Sequence, residues 1–182
     1  GFLPIIQNDP PEHTRLRSIF ARSFTSRRIT QLESEISGIA DQLISDLQNK
    51  SSEGRELDLY KDFASPLPVA VIAKLLGIPL EYYERLKFWN EALGVGVGGS
   101  YTEKQRFNAT TEMNDTLSEI IEEKRLNPAG DLISSLVKLA DEDGEQLKPN
   151  ELLGFCKLLW IAGNETTTNL ITNAAVVLQE QP

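Results

Sequence analysis

Glu165 and Thr166 stand inside WIAGNETTTNLI (residues 160–171), a polar interruption in an apolar run. Leu152, Leu153, Phe155, Leu158 and Leu159 precede it, and Ile171, Ala174, Ala175, Val176, Val177 and Leu178 follow. A carboxylic acid beside a hydroxyl can hold and pass protons, which is general acid–base chemistry. A helix apolar on most of its faces belongs at the centre of a domain, so the insert is expected to be buried. Each buried polar group without a partner costs about 1–3 kcal/mol. Two readings meet that cost. Threonine hydroxyls can bond back to the carbonyl four residues earlier and, beside Gly163, bend or locally open the helix. Alternatively, the opening makes room for a small ligand, and Glu165 and Thr166 supply it with a proton route. Leu158, Ala162, Thr166 and Asn169 share one helical face, and Ala162 with Gly163 leaves it flat enough for a planar group to approach.

The second candidate pair is His13 and Arg17, four residues apart on one face of the first helix. His13 is the single histidine of the chain, so no His-rich metal site can form, and a lone histidine is commonly a satisfied structural residue. Paired with Arg17 it makes two donors aimed together, suited to a carboxylate or phosphate.

These residues need helices to position them. In DPPE (residues 9–12), Asp9 can cap, Pro10 can take the first helical position and Glu12 the third, predicting a helix over 10–24 that buries Leu16, Ile19, Phe20 and Phe24. Ile29, Leu32, Ile36, Ala40, Leu43 and Leu47 form the stripe of a second helix ending near Asn49. RELDLYKDFA (55–64) alternates apolar and polar residues and is the one expected strand. Residues 64–76 are nearly apolar all round and should be deeply packed. Residues 80–93, with Tyr82, Tyr83, Leu86, Phe88 and Trp89, suit a core or a cavity wall. GVGVGGSY (94–101) contains a literal G-x-G-x-x-G, but a helix precedes it where a dinucleotide site needs a strand, and a hinge or lid is the better reading. A polar helix over 102–125 follows, with Phe107, Thr111, Met113, Leu117, Ile120 and Ile121 as its apolar positions. Asn127-Pro128-Ala129-Gly130 ends it, a helix over 131–140 comes next, and Pro149 starts the last one. An all-α architecture follows, with at most one or two short strands.

Composition narrows the function classes. At 182 residues, 40% hydrophobic and 25% charged, the chain suits one globular domain with a real core. No apolar run is long enough for a membrane span, and PLPVAVIAKLLGIPL (66–80) is interrupted by Lys74 and three prolines. GFLPIIQNDPPEH has no basic n-region of a signal peptide, and Cys156 is the only cysteine, so a cytoplasmic location is expected. The net charge of −9 is uneven, because residues 1–28 carry five arginines against Asp9 and Glu12 while the remainder is strongly acidic. That basic patch is short and lacks interleaved aromatics, which argues against nucleic acid.

DPPEHTRLRSIFARSFT, followed more than a hundred residues on by LLWIAGNETTTNLITNAA, resembles the soluble bacterial cytochromes P450. The likeness lies in the His-x-x-x-Arg segment of that family's C helix and the Ala/Gly-Gly-x-Asp/Glu-Thr-Thr segment of its I helix. GDLISSLV and the DEDGE turn look like the approach to the I helix. The resemblance implies a partial P450 fold in a single domain, from the loop before the C helix through the I helix. It also implies a haem-thiolate monooxygenase using haem b (iron-protoporphyrin IX).

By resemblance, His13 and Arg17 would bond the haem propionates, and Ala162 and Gly163 would lie over the porphyrin. Glu165 and Thr166 would deliver protons to dioxygen bound there. Leu158, Leu159 and Ile161 would border a small hydrophobic organic substrate, as would Leu3, Ile5 and Ile6 upstream. Gly94 to Ser100 would be an access lid, and the basic first helix would meet an electron donor of ferredoxin or flavodoxin type. The family's Glu-x-x-Arg pair and axial cysteine lie downstream of its I helix, so no metal ligand is expected here, and Cys156 is expected to be a buried, inert thiol. The chain is thus expected to be a fragment, inactive alone. A helical binding or regulatory module that keeps the scaffold without the chemistry is the alternative.

Overall fold

A computed structural model describes residues 5–24, 26–93, 101–142 and 147–180. All regular structure among these residues is helical: α1 (Glu12–Ser23), α2 (Ser26–Ser52), a π-helical turn (Tyr60–Ala64), α3 (Pro66–Leu76), a short 3-10 turn (Leu80–Tyr82), α4 (Tyr83–Leu93), α5 (Glu103–Leu126), α6 (Leu132–Glu142) and α7 (Pro149–Glu180). The all-α class is as expected. α7 has 32 residues, a rod of about 48 Å at 1.5 Å per residue. The π-turn, α3, α4, α5 and α6 all pack on it. One core runs through Leu16 and Phe20 of α1, Val69 and Leu76 of α3, Trp89 of α4, Met113 and Leu117 of α5, Leu136 of α6, and Phe155 and Trp160 of α7.

Local chemistry sets the helix ends. Thr102 and Gln105 form a capping box at the start of α5. Gly77 closes α3 in the left-handed conformation (φ 77°), giving its N–H to the carbonyls of Ala73 and Lys74. A Cβ on Gly77 would overlap the Asp131 carboxyl. That carboxylate accepts from Ser134 N–H at 2.8 Å, capping α6, and pairs with Lys124 at 2.8 Å, so it ties the end of α5 to the start of α6.

The expected strand at 55–64 does not form. Residues 55–58 are irregular, and Ser65 N–H bonds to Tyr60 O across the π-turn. Among the described residues no second strand exists to pair with it, and the Asp62 carboxylate draws the chain into a turn by accepting from Asp58 N–H at 2.9 Å and Lys50 Nζ at 2.5 Å. α1 starts at Glu12, without a side-chain cap from Asp9; Asp9 instead gives its backbone carbonyl to His13 N–H at 3.1 Å.

On α5 the buried row is Ala109, Met113, Thr116, Leu117, Ile120 and Ile121, while Phe107 and Thr111 lie off that register and are exposed. The α2 stripe is only partly covered, with Ile29 and Ile36 exposed. Trp89 and Leu86 place α4 in the core, with Tyr82 and Phe88 packed against it. The expected lid at 94–100, Leu3 and most of the DEDGEQ turn fall outside the described residues.

Candidate functional site

α7 is helical without interruption through its polar insert. The insert has two faces, which corrects the expectation that Glu165 and Thr166 are buried. Asn164 and Thr168 are buried; Glu165 is half-buried, and Ala162, Thr166 and Thr167 are exposed. At 100° per residue, Asn164 points away from the direction shared by Ala162 and Thr166, so the alternation follows directly from the helix. The threonine back-bond is present: Thr166 Oγ1 donates to Ala162 O at 2.8 Å, and Asn164 Nδ2 donates to Trp160 O at 2.9 Å.

Gly163 has a role that its place in the motif does not reveal. A Cβ built on it would stand 2.6 Å from Ile72 Cδ1 and 3.0 Å from Cγ1, so its missing side chain is what lets α3 close on α7. Its flank is occupied by protein. The open surface belongs to Ala162 and Thr166.

The same periodicity relates α1 to that open face. His13, Arg17, Phe20 and Phe24 are spaced four, three and four apart and share one side of α1. Phe20 stacks on Phe155 of α7 with ring centroids 3.6 Å apart, and Phe24 meets the same ring edge-on at 6.3 Å. Phe155 in turn shares its face of α7 with Ala162, seven residues and about 10 Å further along. His13 and Arg17 are therefore on the side of α1 that meets Phe155, whose face of α7 carries Ala162 and Thr166 further along.

Arg15 takes no part in this face. It bonds Glu12 at 2.8 Å and the buried Glu151 at 2.6 Å, and these carboxylates raise its pKa, the Glu12 hydrogen bond foremost. The side chains of His13, half-buried, and Arg17, exposed, make no hydrogen bond or ion pair among the described residues. Their donors are open to an anion.

Glu151 is a positioning residue that reading the sequence for chemistry missed. Its Oε2 accepts Lys148 N–H at 2.8 Å, capping α7, while Oε1 holds Arg15, so one buried carboxylate sets the start of α7 against α1. A glutamate at the third helical position after a proline was the available signal.

Leu158, Ile161 and Glu165, three and four apart, line one edge of α7 beside the open face; Leu158, Leu159 and Ile161 are half-buried. Ile5 packs against the core, whereas Ile6 is exposed. Cys156 is fully buried, and burial pushes its thiol up to about 12, as expected of an inert thiol. No group of three or more His, Cys, Asp or Glu side chains that could hold a metal exists among the described residues. Nor, among them, is any helix long and apolar enough to cross a membrane.

No protein-family model matches the chain. Individual proteins do. It is 44% identical over 185 residues to the putative cytochrome P450 YjiB of Bacillus subtilis strain 168, covering 98% of this chain and 45% of that protein. The structure superposes on the cytochrome P450 enzyme CYP109B1 of Bacillus subtilis with a TM-score of 0.81 at 43% identity, covering 98% of this chain and 48% of that one. On the mixed-function P450 MycG F286A mutant in complex with mycinamicin IV the TM-score is 0.87 at 32% identity, covering 100% of this chain and 44% of that one. The chain spans about 45% of the length of the curated relatives it matches. The curated relatives it matches are bacterial cytochromes P450 and its structural neighbours are P450 structures, and it corresponds to a partial segment of that fold. A haem cofactor is what the family implies.

Proposed function

We propose that this chain forms one wall of the haem pocket of a haem-thiolate monooxygenase, together with its proton-handling pair. The observation that carries the proposal is the pairing of an exposed, small-residue face on α7 with two unpartnered donors on the side of α1 that docks against it. The donor set fits the group: a planar macrocycle needs a flat apolar bed, which the Ala162 methyl supplies, and its carboxylates need hydrogen-bond donors, which the His13 and Arg17 side chains have free.

Haem b held here would supply the redox chemistry by which dioxygen is reduced, one oxygen atom entering an organic substrate and the other leaving as water. The chain's own residues do the rest. His13 and Arg17 bind the propionates and fix the ring's orientation. Ala162 sets how closely the ring approaches, and Gly163 keeps the helix in place by admitting Ile72. Glu165, half-buried at the rim, stands beside the open face as the acid–base group. Thr166 donates its own proton to Ala162 O, so its oxygen lone pairs face outward and orient a donor such as water. To pass a proton on, the hydroxyl leaves that carbonyl.

Ile5, Ile6, Leu158, Leu159 and Ile161 border a small hydrophobic substrate. The exposed Arg17 and Arg22 give α1 a basic surface for an acidic donor of ferredoxin or flavodoxin type, steered by charge. Cys156, a single cysteine outside any disulfide, fits a cytoplasmic location. The test is the spectrum of the full-length protein after reduction and addition of carbon monoxide. A thiolate-type Soret band supports the proposal, and its absence from protein that has bound haem overturns it.

A further inference from the structure

A second polar stripe runs along α7 on the side turned away from Ala162 and Thr166. Lys157, Trp160, Asn164 and Thr168 are spaced three, four and four apart, which keeps them within about 80° of one another around the helix. All four are buried, with exposures of 6, 1, 0 and 3%. Trp160 Nε1, Asn164 Oδ1 and Thr168 Oγ1 are enclosed and have no hydrogen-bond partner among the described residues. α4 and α5, both packed on α7, add two more such atoms, Trp89 Nε1 and Asn114 Oδ1.

Thr168 is the informative residue. Thr166 and Thr172 spend their hydroxyls on the carbonyl four residues back, and the same bond is open to Thr168, whose Oγ1 does not make it. Lys157 heads the stripe with no ion pair or hydrogen bond among the described residues, and burial lowers its pKa.

Orphaned polar atoms in one row of a close-packed interior are costly unless something meets them. We propose that this stripe is a hydration site, in which internal water held along α7 accepts from Trp160 Nε1 and bonds Asn164 Oδ1 and Thr168 Oγ1. The chemistry of the row selects water. An indole N–H can only donate and an amide oxygen can only accept, so an anion leaves Asn164 unmet and a cation leaves Trp160 unmet. Water does both. The eight residue steps from Trp160 to Thr168 span about 12 Å, enough for more than one molecule, and bound water is the usual partner of such groups.

The test uses the protein labelled with 15N at its indole nitrogens. The Nε1–H resonance that disappears in Trp160→Phe is expected to show a dipolar cross-peak to long-lived water in the unsubstituted protein. Thr168→Val, which keeps the shape and removes the hydroxyl, is expected to lower Tm, because water loses a partner. In a dry seam the same substitution removes an unmet polar group and raises Tm. A raised or unchanged Tm, an indole proton with no water cross-peak, or a crystal structure with Trp160 Nε1 bonded directly to Asn164 Oδ1 overturns the proposal.

Discussion

Replacing Gly163 with alanine puts a methyl group into space that Ile72 occupies. The new Cβ would lie 2.6 Å from Ile72 Cδ1 and 3.0 Å from Cγ1, against the 3.5–4.0 Å of an ordinary carbon–carbon contact. About 1 Å of overlap must be relieved by turning Ile72 or by moving α3 off α7, and overpacking of this kind costs roughly 1–3 kcal/mol. Alanine gives back about 1 kcal/mol through its helix propensity. The net expectation is a loss of roughly 0–2 kcal/mol. Ile72→Ala removes both clashing atoms, so in that background Gly163→Ala should show the bare propensity gain and stabilise by about 1 kcal/mol. The sign of the alanine effect is thus expected to reverse. Urea unfolding followed by circular dichroism on the four members of the cycle reads the coupling directly. Equal effects of Gly163→Ala in the two backgrounds would show that Gly163 is not where α3 closes.

Gly77→Ala meets two obstacles at once, a positive φ and the Asp131 carboxyl. It is expected to cost at least ~1 kcal/mol and to lower Tm, and an unchanged Tm would contradict the Gly77–Asp131 packing. The Cys156 thiol, buried and pushed up to about 12, should resist a soluble disulfide reagent at pH 8 until the protein unfolds; rapid labelling of the native state would refute this. Asp62 has its pKa lowered, first by the Lys50 hydrogen bond and then by Asp58 N–H. A carboxylate lowered in the folded state contributes stability above its unfolded value and loses it as pH falls through the folded one. The Tm deficit of Asp62→Asn should therefore be largest near neutral pH and shrink below about pH 4; a constant deficit from pH 7 to pH 3 would rule the contribution out.

The helices were legible because their signals are local. Pro149 marks the start of α7, Asn127 to Gly130 the end of α5, and the spacing of Leu16, Ile19 and Phe20 the buried side of α1. Leu57 and Leu59 misled because alternation promises a strand only where a partner strand exists, and Asp62 had a better use for the local N–H groups. Phe107 misled for a related reason: apolar character alone does not say which register of α5 faces the core.

At the candidate site, residue types and spacing gave the two pairs and their faces. They did not give burial, since whether Ala162 and Thr166 are covered depends on what packs against α7. In this chain that face is open, as are Leu170, Val176, Val177 and Leu178 beyond it. Nor did they give Ile72, whose meeting with Gly163 is a tertiary contact between distant segments.

The proposal that the face shared by Ala162 and Thr166 and the donors of His13 and Arg17 hold one haem is most directly tested by a crystal structure of the full-length protein with haem bound. The expected result is a porphyrin lying against Ala162, its propionates bonded by His13 and Arg17. A porphyrin seated against any other face of α7, or propionates bonded elsewhere with His13 and Arg17 in solvent, would contradict it.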